Sequence, residues 1–324
     1  MKRRFPAAAL AALPLVVLAG GCAVFGDGGP NPPDVAGTQG VHSASRPSAR
    51  AAGPGGQTTV AIISDFGQCD DGERAVAELV RSWDPALIFT AGDNSQGVAG
   101  CVPFTESVDA YYGDYVRSPQ GPRLFPVLGN HDYDDDGAGL AAYRSYFTYL
   151  DTSDDPLGRW YVKSVGNINV YVLDSNAPDD QTQRQQQFLK SALGQADQAA
   201  WDIVIFHHPP FTSGPHDPRL DLRPEAGWAF KEWGADVVIN GHQHVFEDVV
   251  VDGLHYITAG VGGQTLVRRC ATTRTQGSLT CIEGIGALKV VATDESLDVS
   301  YIVPGSASDV AAYSVEVAKN VKPG

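Results

Sequence analysis

The chain has 324 residues with 38 acidic and 23 basic side chains, which gives a formal net charge of -15 at pH 7. An acidic surface repels polyanions, and the sequence lacks the clustered Lys and Arg that bind nucleic acid without sequence preference, so we predict no nucleic-acid partner. With a short leader set aside, about 270 to 300 residues remain, which is enough for one domain with a full hydrophobic core.

Residues 1–22 have the pattern of an export signal. Basic residues precede an apolar run over residues 7–18, and this run is too short to cross a bilayer as a helix. The small residues directly before Cys22 resemble a bacterial lipobox, so we expect a lipid anchor on Cys22 as the only membrane contact. An ordinary secretory signal is the alternative. The protein is therefore predicted to be exported, either lipid-anchored at the outer face of a bacterial membrane or secreted.

Two segments flank the predicted domain, which covers residues 58–303. Residues 23–57 are rich in Gly, Pro, Ser and Ala and contain almost no large apolar side chains. Such a segment buries too little apolar surface to offset the entropy of ordering, so we predict a flexible tether. Residues 304–324 are weakly patterned, and we expect a weakly ordered C-terminal tail.

Four cysteines lie within the predicted domain: Cys69, Cys101, Cys270 and Cys281. An even number in a chain bound for an oxidising compartment predicts two disulfides. Three pairings exist, and we favour Cys69 with Cys101 and Cys270 with Cys281, because the second pair closes a short polar loop. A metal site built from the four cysteines is the alternative, although none of them forms a Cys-x-x-Cys knuckle.

Strands and helices alternate through the first two thirds of the predicted domain, and strands alone follow. Apolar, β-branched runs predict strands at residues 58–64, 86–91, 124–128, 168–173, 203–206 and 237–239. Apolar residues at helical spacing predict helices at residues 73–83 and 181–193. Four more strands are predicted at residues 246–251, 255–259, 287–292 and 297–303.

Polar residues of a particular kind follow directly after these strands. They are Asp65, Asp93, Asn130 with His131, His207, and His242 with His244. In an open α/β sheet such strand ends converge on one crevice, so residues distant in sequence can meet there. Carboxylate, amide oxygen and imidazole together suit metals of the Fe, Zn or Mn type, and a two-metal site needs one bridging carboxylate. We therefore predict two metal ions as cofactors.

Four short motifs carry a family resemblance: Gly92-Asp93-Asn94, Gly129-Asn130-His131-Asp132, His207-His208-Pro209-Pro210 and Gly241-His242-Gln243-His244. In order and spacing they resemble the signature blocks of calcineurin-like metallophosphoesterases. The opening block, Asp65-Phe66-Gly67, is most similar to the purple acid phosphatase branch. The resemblance implies a four-layer α/β/β/α sandwich of two mixed β-sheets flanked by helices.

The resemblance also implies a role for each motif residue. The first metal would be held by Asp65, Asp93 and His244. The second would be held by Asp93, Asn130, His207 and His242, with Asp93 bridging. His131 would face the substrate and protonate the leaving oxygen or stabilise its charge, and Asp132 would orient its ring. His216 resembles a substrate-loop histidine that contacts phosphate, whereas we expect His208 to give structural support.

Gln96 departs from the purple acid phosphatase pattern, which has at this position a tyrosine that binds the ferric ion. Gly67 stands where other branches of the family have a histidine ligand, so no histidine compensates for the missing tyrosine. The first metal is therefore predicted to be one protein ligand short, and it would bind weakly, accept the Gln96 oxygen or take extra water. We expect no tyrosinate-to-iron colour.

These features together predict metal-dependent hydrolysis of phosphate monoesters, of the acid phosphatase type, by a metal-bridged hydroxide at the cell envelope. The predicted substrate is a small phosphoester, and the protein is expected to be a monomer. A phosphodiesterase or nucleotide hydrolase on the same dimetal site is one alternative. A non-catalytic surface lipoprotein that binds metal or phosphate is another, because the first metal site is depleted.

Overall fold

The computed structural model describes residues 56–133, 140–263, 269–305 and 310–320. The predicted export signal, Cys22 and nearly all of the predicted tether lie outside the described residues. Within the described ranges, no helix is both long enough and apolar enough to cross a membrane.

Thirteen strands and five α-helices make up the described part of the chain. The strands are β1 (Thr58–Ile63), β2 (Leu87–Thr90), β3 (Leu124–Phe125), β4 (Tyr161–Val165), β5 (Ile168–Val172), β6 (Trp201–Ile205), β7 (Val237–Asn240), β8 (Phe246–Val251), β9 (Leu254–Ala259), β10 (Ser278–Ile282), β11 (Ala287–Ala292), β12 (Leu297–Ile302) and β13 (Tyr313–Val317). The helices are α1 (Asp71–Ser82), α2 (Asp109–Val116), α3 (Ala141–Tyr146), α4 (Thr182–Gly194) and α5 (Phe230–Trp233).

The strands form two mixed sheets. The first has six strands in the order β13-β12-β11-β1-β2-β3, with β1, β2 and β3 parallel to one another. The second has seven strands in the order β10-β8-β9-β7-β6-β5-β4, with β5, β6, β7 and β9 parallel. The carboxyl ends of each parallel set therefore lie at one edge of their sheet, which is where the predicted ligands follow the strands.

Alternate residues of the inner strands serve two different cores. Val60 and Ile62 of β1 pack with Val170 of β5 and Ile203 of β6 in the layer between the two sheets. The intervening residues of β1, for example Ile63, lie on the other face of the sheet and pack against the first helical layer. Since successive strand residues point to opposite faces, one strand can fill both layers.

Each sheet is covered by helices on its outer face. On the first sheet, Val76 and Val80 of α1 are fully buried in the cluster that contains Ile63. On the second sheet, Leu189 and Leu193 of α4 are fully buried against the outward residues of β5 and β6. Burying each aliphatic side chain stabilises the fold by about 1.5 to 3 kcal/mol. The layers run helix, sheet, sheet, helix, which confirms the predicted four-layer α/β/β/α sandwich.

The C-terminal segment is more ordered than we expected. Strand β13 pairs antiparallel with β12 at the edge of the first sheet, and its Val317 is buried. After the strand, Lys319 Nζ lies 2.8 Å from a carboxylate oxygen of Asp236, and the Asn320 backbone nitrogen donates to the other oxygen at 2.7 Å. The expectation of a weakly ordered tail over residues 304–324 is therefore wrong for residues 310–320.

Both favoured cysteine pairs form disulfides. Cys69 is joined to Cys101, and Cys270 is joined to Cys281. The first disulfide connects the segment after β1 to the segment after β2, and each of these segments carries one of the predicted ligand carboxylates. The alternative of a four-cysteine metal site is thereby excluded.

Candidate metal centre

The predicted ligands converge from the ends of five strands. Asp65, Asp93 and His207 follow β1, β2 and β6, and one ligand atom from each lies within 4.8 Å of the other two. All three side chains are buried, with relative exposures of 0%, 1% and 0%. The two carboxylates come from the first sheet and the imidazole from the second. The site therefore lies where the edges of the two sheets meet.

The short contacts around His207 have the geometry of shared coordination. Its Nε2 lies 3.3 Å from Asp93 Oδ2 and 3.2 Å from Asn130 Oδ1. Two ligand atoms bound to one cation at about 2.1 Å, and at roughly right angles to each other, are about 3 Å apart. Separations of 3.2 and 3.3 Å are therefore short enough for the three atoms to bind one cation.

The second nitrogen of His207 fixes which atom faces the site. Nδ1 lies 2.8 Å from the carbonyl oxygen of Ala91. A carbonyl oxygen only accepts, so Nδ1 carries the hydrogen and Nε2 faces the oxygens of Asp93 and Asn130. Burial lowers the pKa of His207, but the neighbouring Asp93 charge outweighs it and raises that pKa to about 10. The surroundings of Nε2 thus favour positive charge, supplied either by a proton or by a metal ion.

A second pair of side chains meets at the other end of the site. Asp65 Oδ1 is buried without a hydrogen-bond partner among the described residues, although His244 Nε2 lies 3.2 Å away. The other oxygen accepts from Ser64 Oγ at 2.6 Å and from the His242 backbone nitrogen at 2.8 Å. Burial alone would raise the pKa of Asp65, but the adjacent His244 and His207 imidazoles hold it below its ordinary value. An ionised oxygen without a donor is well suited to binding a cation.

His242 is available as a neutral ligand. Its ring centroid lies 5.1 Å from that of His207, and burial together with the His207 charge lowers its pKa to about 4. A neutral imidazole has a free lone pair for a metal, whereas a protonated one has none. The residues present therefore fit a centre of two cations, with carboxylate and imidazole donors on one side of Asp93 and amide and imidazole donors on the other.

Four of the six predicted ligands have left-handed backbone conformations. Asp65, Asp93, His242 and His244 have φ values of 55°, 52°, 72° and 48°. This conformation costs a non-glycine residue about 1 to 2 kcal/mol, and such strain is concentrated at functional sites. The left-handed conformation turns the chain sharply after each strand, which brings these side chains into the crevice.

His208 lies close enough to His207 and His242 to share a metal ion with them, and its supporting role stays a prediction. Its Nδ1 lies 2.8 Å from Ser175 Oγ, and its backbone nitrogen donates to the same oxygen at 3.0 Å. Its ring lies beside His242, at 4.5 Å between centroids. Burial and the His207 charge lower the pKa of His208, so its ring is neutral. The side chain is thus held in place next to two predicted ligands.

The two histidines with predicted substrate roles are each joined to a predicted ligand by a short contact. The His131 side chain is exposed, while its backbone nitrogen donates to Asp93 Oδ1 at 2.9 Å. The His216 ring is 4.5 Å from the His242 ring and 6.4 Å from the His244 ring. Both imidazoles are therefore attached closely to ligand-bearing segments.

Asp132 does not have the role that the sequence suggested. Its carboxylate accepts from the Asn94 backbone nitrogen, from Asn94 Nδ2 and from the Gly129 nitrogen, each at 2.8 Å. Within the described ranges it makes no hydrogen bond to the His131 ring, because both oxygens are directed at the neighbouring loop. Burial, together with the Asp93 charge, raises its pKa to about 8. Asp132 joins the Asp93 and Asn130 loops.

Two residues of the site were missed by sequence reasoning. Asn94 follows Asp93 directly and binds both Asp132 and the Val127 carbonyl oxygen, at 2.8 Å. Gln243 lies between His242 and His244, and its side chain binds the backbone of His216. Each lies inside a motif already singled out, which was the available signal. Gln96 has its side-chain nitrogen buried without a hydrogen-bond partner among the described residues, and its contribution to the first metal stays a prediction.

The family model for calcineurin-like phosphoesterases matches residues 58–246, which contain every predicted ligand. The chain belongs to this family. Among related sequences, purple acid phosphatase 7 of Arabidopsis thaliana is 26% identical over 210 residues, which cover 56% of this chain. The chain spans 61% of the length of that relative. The predicted family and its purple acid phosphatase-like branch are confirmed.

Solved structures share the fold at low identity. Purple acid phosphatase PPD1 from yellow lupin (Lupinus luteus) seeds superposes with a TM-score of 0.67 and 15% identity, over 82% of this chain and 54% of that protein. GAP50, described as the anchor in the inner membrane complex of Plasmodium, superposes with a TM-score of 0.64 and 18% identity, over 82% and 90% of the two chains. Similarity at these identities establishes the architecture alone.

Proposed function

We propose that this protein hydrolyses phosphate monoesters with a two-metal centre at the strand ends. The observation that carries the proposal is the buried convergence of Asp65, Asp93 and His207, with ligand atoms within 4.8 Å of one another. Buried carboxylates are rarely brought so close to one another without a cation to offset their charge. Membership of the phosphoesterase family supports the same reaction.

The donor atoms divide naturally into two sets that share Asp93. Asp65, Asp93 and His244 would hold the first ion, and Asp93, Asn130, His207 and His242 the second. When bound, two such ions lower the pKa of a water molecule and neutralise phosphate oxygens. The identity of the ions is proposed from the ligand types, which suit Fe, Zn or Mn.

The remaining roles belong to side chains at the open face. The His131 imidazole is exposed and its backbone nitrogen donates to Asp93, and we assign this imidazole the role of donating a proton to the leaving oxygen. His216 is placed beside His242 to bind a phosphate oxygen. Phosphoryl transfer depends mainly on positioning and charge, which is what these fixed groups supply.

The preference for monoesters rests on similarity to purple acid phosphatase 7. A phosphodiesterase or nucleotide hydrolase would use the same centre and remains the rival enzyme. A non-catalytic role is favoured by a separate observation, because Gln96 stands where the purple acid phosphatase branch has a metal-binding tyrosine. In that case the protein would bind metal or phosphate without turnover.

We also propose that the protein acts outside the cytoplasm on a small phosphoester, as a monomer. Its two disulfides support an oxidising compartment. Anchoring through a lipid on Cys22, or plain secretion, would place it at the cell envelope.

Metal analysis combined with two substrates tests these proposals. Full-length protein loaded with Fe, Zn or Mn is assayed on p-nitrophenyl phosphate and on bis-p-nitrophenyl phosphate. Two metals per chain with monoester hydrolysis is the expected result. Hydrolysis of the diester alone would assign the rival activity, and at most one metal without turnover would assign the binding role. A visible tyrosinate-to-iron band would contradict the ligand set at the first metal.

A further inference from the structure

The backbone of His216 is held by one buried glutamine side chain. Gln243 Oε1 accepts from the His216 backbone nitrogen at 2.9 Å, and Gln243 Nε2 donates to the His216 carbonyl oxygen at 3.0 Å. The glutamine has no exposed surface. A primary amide carries one acceptor and donors in one plane, so it satisfies both polar groups of a residue as a neighbouring strand would.

The loop before His216 is shaped to admit this side chain. A β-carbon built on Gly214 would fall 2.2 Å from Gln243 Oε1, which is far inside any permitted contact. Only glycine therefore allows the loop to pass this close to the glutamine. The fit of Gly214 and Gln243 restricts where His216 can lie.

The start of the same loop, at Thr212 and Ser213, is held by hydrogen bonds that do not involve Gln243. Glu247 of β8 accepts from the Ser213 nitrogen at 2.6 Å and from Thr212 Oγ1 at 3.2 Å. From the disulfide-closed segment 270–281, the Ala271 nitrogen donates to the Ser213 carbonyl oxygen at 2.8 Å. These contacts fix Thr212 and Ser213, which lie four and three residues before His216. Gln243 acts on His216 directly.

Gln243 also lies between the two proposed ligands His242 and His244. The His216 ring packs on the His242 ring, with 4.5 Å between centroids and 35° between planes. We propose that Gln243 is the positioning residue that sets the His216 imidazole over the metal centre, and so determines how tightly the centre holds phosphate. This proposal rests on the proposed function, in which His216 binds a phosphate oxygen.

The structure supplies a matched control for the chemistry of this clamp. Gln185 of α4 is 3% exposed and holds the backbone of Asp174 in the same manner, with contacts of 2.8 Å to the nitrogen and 2.9 Å to the oxygen. Replacing either glutamine by methionine removes two hydrogen bonds and keeps the side-chain length. The two variants should therefore lose similar stability, while one releases the backbone of His216 and the other that of Asp174.

The experiment measures inhibition by inorganic phosphate, together with kcat and KM for p-nitrophenyl phosphate, in metal-loaded enzyme. We expect Gln243→Met and His216→Ala each to weaken phosphate inhibition about tenfold, the value of one hydrogen bond to a charged group. The double variant should be no weaker than either single variant, because both remove the same interaction. Gln185→Met should keep wild-type phosphate inhibition, and all variants should retain two metals.

A further variant tests the same contact without changing Gln243, in case Gln243→Met fails to fold. Gly214→Ala displaces Gln243 from the loop side and should reproduce the weakened phosphate inhibition while Gln243 itself is intact. Additive effects of Gln243→Met and His216→Ala, or unchanged phosphate inhibition in Gln243→Met, would overturn the positioning role and leave the proposed function standing. A metal-loaded wild type that neither turns over substrate nor binds phosphate would instead overturn the proposed function, and this inference with it.

Discussion

Asp93 and Gly129 are packed so closely that a β-carbon on the glycine would lie 2.1 Å from Asp93 Oδ1 and 2.3 Å from the Asp93 nitrogen. The Asp93 carboxylate, which we propose to bridge the two metals, therefore packs directly against the backbone of Gly129. The same oxygen accepts the His131 nitrogen at 2.9 Å, so the position of Asp93 also fixes the start of the Asn130 segment.

Gly129→Ala should therefore abolish metal binding and activity with most of the fold retained. The added methyl group must push Asp93 out of its position, since the contacting atoms are backbone and a short side chain. Metal content by mass spectrometry and turnover of p-nitrophenyl phosphate measure the effect. The control is Gly194→Ala at the end of α4, where a β-carbon meets nothing within 4 Å. That variant should gain about 0.4 to 1 kcal/mol and keep full metal content.

Metal removal should lower the thermal stability of the protein. A ligand at 100 times its dissociation constant stabilises the native state by about 2.7 kcal/mol, which corresponds to about 5 to 10 °C in Tm for a domain of this size. Chelation should reverse that gain, and added Zn or Mn should restore it. Asp93→Asn should be inactive, folded and nearly insensitive to the chelator. An equal chelator effect on both proteins would remove Asp93 from the metal centre.

Glu73 predicts a pH dependence of stability that is independent of the metal centre. Its carboxylate accepts from the Cys69 nitrogen at 2.8 Å, and burial raises its pKa to about 8. An acid whose pKa is raised by folding contributes stability below its unfolded pKa, and this contribution is lost as pH rises towards the folded value. The free energy of unfolding should therefore fall between about pH 5 and pH 8 in the wild type.

Glu73→Gln should reduce that fall by more than about 1 kcal/mol in urea titrations at the two pH values. Glu106→Gln is the control, since exposed Glu106 makes an equivalent bond to the nitrogen of Val102 at 2.8 Å. The Glu106 variant should follow the wild type at both pH values. Parallel pH profiles for the wild type and Glu73→Gln would show that Glu73 does not titrate in this range.

The two disulfides should differ in their effect on the metal centre. Cys69–Cys101 spans 32 residues and Cys270–Cys281 spans 11, so their removal should cost about 4 and about 3 kcal/mol in the chain-entropy model. Only the first connects the Asp65 and Asp93 segments. Paired serine variants are compared by urea denaturation and by metal retention during dialysis. The Cys69 and Cys101 variant should lose metal, and the Cys270 and Cys281 variant should retain it. Loss of metal from the Cys270 and Cys281 variant, with retention in the other, would reverse this assignment.

Much of the architecture was predictable because the central strands are strongly patterned. Buried parallel strands such as β1, β6 and β7 read as short apolar runs ending in polar motifs, and the structure has them where predicted. Of the four edge strands in the described part of the chain, β3 was predicted and the other three were missed. Strands β4, β10 and β13 are sheet edges with partly exposed residues. Helices α2, α3 and α5 have eight, six and four residues, which is too short for a clear helical period.

The site was predictable as a set of residues and less so as a set of contacts. The order of motifs identified Asp65, Asp93 and His207, because strand ends must converge. The partner of Asp132 could not be derived, since a buried carboxylate takes whichever donors the folded loops supply, and here those are Asn94 and Gly129. The same holds for Gln243, whose partner is 27 residues away.

The left-handed backbone at four predicted ligands lowers the stability of the fold at the same residues that supply donor atoms. These residues are Asp65, Asp93, His242 and His244. Glycine at any of these positions would relax the chain while deleting a donor atom. Selection of this protein for heat resistance alone would therefore tend to enrich inactive sequences, and improved stability is better sought at sites remote from the crevice.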